Sequence, residues 1–279
     1  MPDPSLLSNP SLIAIAAIML IGVPHGGLDA AVARRAGWPS GTGPWIAFHL
    51  IYLLLAAGVA GLWWLYPLPS LIFFLLISAL HFGSSDIHPV SAPSSKDAWL
   101  PLIAHSGLVV IAIPAFQSSA VEPLFAVLIG ADNSLWLLQQ IQQLLLPWAV
   151  GLFAYGIYSI YQQRWRSTLL SLAILIALAY LLPPLVSFAI YFCLSHSRGH
   201  MLRIWRSIRQ NERRRSALEA LIYSLLAYAA AALYFALQAN SEIAPTLIQL
   251  TFIGLAALTV PHMLLVDFIY GHREPQQYD

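Results

Sequence analysis

Apolar runs of membrane-spanning length, separated by short polar or proline-containing stretches, dominate the chain. Their lengths predict transmembrane helices over about residues 6–32 (kinked at Pro24), 44–66, 68–83, 98–116, 135–161, 168–182, 185–205, 217–239 and 245–270. A shorter run, 121–129, is expected to be interfacial or re-entrant. The count turns on Pro183-Pro184. Residues 168–200 as one helix would be roughly 50 Å long, well beyond a hydrocarbon core of about 30 Å. Proline also removes a backbone donor and clashes with the preceding turn. The pair is therefore expected to form a tight turn between two spans, giving an all-α, polytopic membrane bundle of eight or nine spans.

The distribution of charge supports that count. With nine spans, all 13 Lys and Arg residues fall in one set of loops: Arg34, Arg35, Lys96, Arg164, Arg166, the group from Arg198 to Arg215, and Arg273. The opposite loops carry Asp3, Glu122, Asp132 and Glu242. Solvation alone explains why arginines are exposed but not why they are one-sided. The positive-inside rule then predicts a plasma (inner) membrane protein with its N-terminus outside and C-terminus cytoplasmic. Composition agrees: 59% of residues are hydrophobic and 9% charged, against about 25% charged in a soluble domain. The single cysteine, Cys193, excludes a disulfide framework and a thiolate metal site. No cleavable signal peptide and no nucleic-acid partner are expected.

Histidines supply the candidate chemistry. His196 and His200 are four residues apart, which on a helix puts both rings on one face. His25, His81 and His262 lie in the second halves of other outward-to-inward spans. Counted from the prolines that open these spans, all five rings fall roughly 18–26 Å from the outer end, in one layer toward the cytoplasmic side. His49 and His105 could reach the same layer, whereas His88 and His272 are expected in loop or tail. A single histidine in an apolar helix is usually a hydrogen-bonded core residue. Several in one layer are harder to explain that way, because polar groups in lipid are costly and mark function. Asp29, four residues after His25, is the expected helper that fixes an imidazole's tautomer. Asp86 and Asp267 are expected as helix-end residues. An all-imidazole site suits zinc, copper, iron or nickel, and spacing alone does not choose among them.

Four motifs follow one another along the chain: Pro-His-Gly-Gly-Leu-Asp (24–29), His-Phe-Gly-Ser-Ser-Asp (81–86), Tyr-Phe-Cys-Leu-Ser-His-Ser-Arg-Gly-His (191–200) and Val-Pro-His-Met (260–263). In that order, and in a chain of this length and hydropathy, they resemble the Brp/Blh family of integral-membrane β-carotene 15,15′-dioxygenases. The resemblance implies one dioxygenase domain over residues 1–279. It would cleave the central double bond of β-carotene with O2 at a non-heme Fe(II), giving two all-trans retinal molecules. The implied metal ligands are His25, His81, His196 and His200, with His262 beside them or in the pocket. Four neutral imidazoles would leave the metal an open position for dioxygen. A bilayer-dissolved carotenoid needs a long, apolar, narrow pocket, for which Tyr191, Phe192, Phe73 and Trp64 are candidates along with Trp63, Phe74 and Phe252. A retinal-binding rhodopsin is the implied functional partner.

Two other enzyme or carrier readings compete with this one. His196 and His200 form the H-x-x-x-H pair of di-iron membrane hydroxylases and desaturases, but the remaining histidines are singletons rather than boxes. A proton-coupled transporter with a buried His/Asp relay accommodates the helix breaks at Pro24 and Pro183, but no inverted repeat is evident. A purely structural membrane protein gives the layer of histidines no purpose.

Overall fold

The computed structural model describes residues 6–90, 95–238 and 241–270, among which every regular element is helical. In chain order the helices are α1 (Asn9–Arg35), α2 (Thr42–Leu65), α3 (Pro67–Ile87), α4 (Trp99–Phe116), α5 (Ser118–Ile129), α6 (Ala131–Tyr161), α7 (Gln163–Leu181), α8 (residues 184–207), α9 (Gln210–Leu237) and α10 (Ile243–Asp267). Among the described residues, eight of these helices, all but α5 and α8, are long and apolar enough to cross a membrane. The chain is thus an all-α, multi-pass membrane protein; eight of the nine expected spans fall on these eight helices, and the one expected over 185–205 falls on α8, outside that set. The short run expected to be interfacial or re-entrant is α5. Apolar side chains remain exposed along α2 and α9, Leu54 at 70% for example, as lipid-facing surfaces require. His272 and Arg273 lie outside the described residues.

The double proline separates α7 from α8 as expected. Pro183 adopts an extended conformation (φ −53°, ψ 147°) and Pro184 takes the first turn of α8, where a missing N–H costs nothing. The Ser187 hydroxyl lies 3.1–3.2 Å from the carbonyls of Leu178, Leu182 and Pro183. It thereby serves acceptors that the interrupted helix ladder leaves over. Beyond this turn α8 is helical but irregular, with a π-helical stretch over Ile190–Ser197 and a final α-helical part, Arg198–Ser207.

By internal packing the chain divides into two compact units. Of the described residues, the first holds those from 71 to 191 with the start of α1, and the second those from 15 to 70 and from 192 to 270. In the first, α6 packs against α4 and α5. Gly107 on α4 admits the Trp148 ring, whose Nε1–H donates to the Ala104 carbonyl at 3.0 Å. Tyr155 closes the α6–α7 connection through Thr168 Oγ1 at 2.7 Å. In the second unit, α10 packs on α2, and α9 packs on the Val23–Leu28 stretch of α1. Arg34 ties α1 to α9 through Glu219 at 2.7 Å and Ser216 at 3.0 Å.

Helix α1 changes its winding where its motif begins. It is π-helical over Ile18–Gly22 and 3-10 over Val23–Leu28, then α-helical again from Asp29. Pro24 removes one ladder donor, and Gly26-Gly27 lowers the preference for regular helix. Gly27 is required for closeness: an added Cβ would stand 2.9 Å from the Ala220 carbonyl oxygen and 3.0 Å from its Cα. These are backbone atoms and cannot rotate aside. Gly27→Ala should therefore destabilise the protein by about 1–3 kcal/mol, read as a lower thermal midpoint in detergent. An unchanged midpoint would mean that α1 and α9 are not in this contact.

Candidate functional site

The second unit gathers four of the five layer histidines: His25 from the 3-10 turn of α1, His196 and His200 from α8, and His262 from α10. All four are buried, His196 at 2% exposure. Ring centroids lie 5.6 Å apart for His25 and His196, 5.8 Å for His25 and His200, and 5.0 Å for His25 and His262. His200 stands 5.0 Å from His262 and 6.2 Å from His196, with the latter two rings nearly parallel. The Phe192 ring stacks on His196 at 5.9 Å and meets His25 edge-on at 5.4 Å. A Cβ at Gly22 would collide with that phenyl ring, so glycine makes room for the apolar wall of the cluster.

Hydrogen bonds assign two tautomers. His25 Nδ1 meets the Gly22 carbonyl, which can only accept. Its proton is therefore on Nδ1, leaving the lone pair on Nε2. His262 Nδ1 donates to Asp29 Oδ1 at 2.7 Å, so in the neutral ring the lone pair is also on Nε2. The other oxygen of Asp29 accepts from the Tyr52 hydroxyl at 2.8 Å. Asp29 thus serves a ring on α10, while the His25 ring four residues before it is oriented by its own backbone. That spacing points the carboxylate past His25, toward α2 and α10.

His81 belongs to the first unit, where it is buried beside Phe82, with ring centroids 5.9 Å apart. Asp86, expected as a helix-end residue, accepts from the Tyr191 hydroxyl at 3.0 Å and from His105 Nδ1 at 3.3 Å. The first unit therefore has its own Tyr–Asp–His group, built like Tyr52–Asp29–His262. His49 is committed at both nitrogens, to the Trp45 carbonyl at 2.7 Å and Tyr223 Oη at 2.8 Å, and is a structural histidine.

An imidazole nitrogen bonds a metal at about 2 Å, so rings sharing one ion stand roughly 4.5–6.5 Å apart. The cluster separations, 5.0–6.2 Å, lie in that window. Among the described residues no group of three or more His, Cys, Asp or Glu side chains is arranged to hold an ion as it stands. The spacing is nonetheless that of a shared ligand sphere.

A family model described as beta-carotene 15,15'-dioxygenase matches residues 16–270. The chain is also 37% identical over 267 residues to a protein named beta-carotene 15,15'-dioxygenase from an uncultured marine bacterium, 66A03, covering 92% of this chain and 93% of that one. The chain belongs to this dioxygenase family. A more distant relative is the probable beta-carotene 15,15'-dioxygenase Blh of Halobacterium salinarum, 24% identical over 68% of this chain and 60% of its own length. No solved structure matches the chain significantly.

Within this family member the expected aromatic residues separate into two groups. Tyr191 and Phe192 are buried, whereas Trp64 is 81% and Phe73 55% exposed. Trp64 stands next to the end of α2, where an indole anchors to the membrane interface, and Phe73 lies on an outward face of α3. The expectation that these two line an interior pocket is corrected accordingly. Tyr52 went unnoticed in the sequence. Its signal was a single hydroxyl within the apolar run of α2, since a phenol buried there needs a partner; which partner was not readable. The Tyr191 hydroxyl bonds a largely buried carboxylate, and such bonds contribute roughly 1.5–3 kcal/mol. Tyr191→Phe should lower unfolding stability by that amount. A variant as stable as wild type would show that Asp86 does not depend on this donor.

Proposed function

We propose that this chain cleaves the central 15,15′ double bond of β-carotene with O2 at a non-heme Fe(II), placing one oxygen atom on each new carbonyl and yielding two all-trans retinal molecules. The observation that carries the proposal is a set of imidazoles, buried in apolar surroundings at ligand spacing, in a member of a family named for this reaction. The donor chemistry fits the metal. The donor set is imidazole, His25 and His262 present Nε2 because their Nδ1 atoms are engaged by the Gly22 carbonyl and Asp29, and the lone thiol, Cys193, is turned to the Ala17 carbonyl at 3.4 Å. His25, His196 and His200 would hold the iron, and the resemblance adds His81 to that set. When bound, such a metal supplies activation of dioxygen beside the polyene.

The protein's own residues do the remainder. Gly22 and Phe192 build an apolar wall against His25 and His196, which excludes water from the reacting bond. The polyene enters laterally from the bilayer between helices, and Phe192, against His25 and His196, lines its path. The whole chain acts as one dioxygenase domain in the plasma membrane. Counting α8 as a ninth crossing, its N-terminus is outside and its C-terminus cytoplasmic, as the one-sided basic residues indicate, with the metal toward the cytoplasmic half. The carrier and di-iron readings give way because the chain belongs to a dioxygenase family. The rhodopsin partner finds no support in the comparisons and is not part of the proposal.

Expression in bacteria that already make β-carotene tests the reaction. Loss of orange colour with appearance of retinal is expected; persistent colour in cells that demonstrably contain the protein would contradict it. His196→Ala and His200→Ala should each lose iron and retinal formation together, measured as metal content and product after purification. A fully active variant would remove that residue from the ligand set.

A further inference from the structure

The resemblance draws its metal ligands from His25, His81, His196 and His200. The second unit points to one more. The His262 centroid lies 5.0 Å from both His25 and His200, nearer to each than His196 is at 5.6 and 6.2 Å. By position His262 is inside the cluster.

Its support has the form that a ligating ring has. His262 Nδ1–H donates to Asp29 Oδ1 at 2.7 Å, and Tyr52 Oη–H donates to Asp29 Oδ2 at 2.8 Å. The Tyr52 hydroxyl also lies 3.4 Å from the Leu258 carbonyl, one turn before His262 on α10. A ring held by a carboxylate at Nδ1 has a fixed orientation, a basic Nε2 and a raised donor strength, which is the usual state of a metal-bound imidazole. Asp29 is 3% and His262 2% exposed. Burying a carboxylate is costly unless it is fully hydrogen-bonded, so three helices commit polar groups to holding one ring. An apolar side chain would serve a packing role without that cost.

We propose that His262 is a further nitrogen donor to the metal centre, with Asp29 and Tyr52 as the positioning residues that lock it as the Nε2-basic tautomer. The inference rests on the iron-centre reading above and adds to it.

The test is titration of the metal-free, full-length protein in detergent with Co(II), followed by its visible ligand-field bands. Wild type should bind cobalt stoichiometrically. His262→Gln should shift the bands and weaken binding by about 10–100-fold, while the metal-free variant unfolds at the wild-type temperature. Added imidazole should return the bands of His262→Ala toward wild type. Tyr52→Phe keeps the ring and its packing, and so carries the test where replacing His262 disturbs folding. It should shift the same bands and weaken binding about ten-fold. Asp29→Asn should do likewise. Wild-type bands and affinity in Tyr52→Phe and in a folded His262 variant would overturn the inference and leave the iron centre standing. Failure of the wild-type protein to bind cobalt would overturn both.

Discussion

Placing several imidazoles together inside a lipid-embedded protein is the constraint on which the rest of this structure depends. Each ring has an N–H that must be matched, since no water is available to match it, and each must keep a lone pair facing inward. Regular helices meet that requirement poorly, because every side chain leaves at a fixed angle. Here the winding changes at each contributing segment: 3-10 at Val23–Leu28, π over Ile190–Ser197, and π from Leu264 directly after the His262 turn. Pro24 and Pro261 account for two of these breaks by removing ladder donors. The Ile190–Ser197 stretch contains no proline, and π-helical turns are frequently found at functional sites.

The second feature is a device used twice. In each unit an aspartate about one turn after a motif histidine accepts a tyrosine hydroxyl and holds a second histidine from another helix. These are Tyr52–Asp29–His262 and Tyr191–Asp86–His105. The arrangement keeps a carboxylate tolerable in an apolar interior by giving each charge two donors. It also fixes which nitrogen of the held ring is basic. Charge at the centre is thereby settled by hydrogen bonds rather than by solvent, which suits chemistry that must avoid stray protons and water.

Much of this was legible in the sequence, for identifiable reasons. The helices follow from apolar run length, and the α7–α8 break from Pro183-Pro184, because both are local properties of the chain. His25, His196, His200 and His262 could be placed in one layer because helical rise converts residue number into depth. What depth cannot supply is direction around the helix. Asp29 was expected to orient an imidazole, but that the ring would be His262 on α10 was not readable from spacing. Trp64 and Phe73 were expected inside, yet they face out, since a near-uniformly apolar helix shows no sequence difference between its lipid face and its core face. Tyr52 and the pairing of Asp86 with His105 join residues far apart in the chain, and no local pattern announces them.

X-ray absorption at the iron edge, on protein purified without air, measures the metal's surroundings directly. One iron per chain, with a first shell of nitrogen or oxygen, no sulfur, and scattering from at least four imidazole rings, is the predicted result. A preparation that forms retinal while holding no iron, or holding it without imidazole scattering, would contradict the claim that these buried rings are the reaction's metal centre.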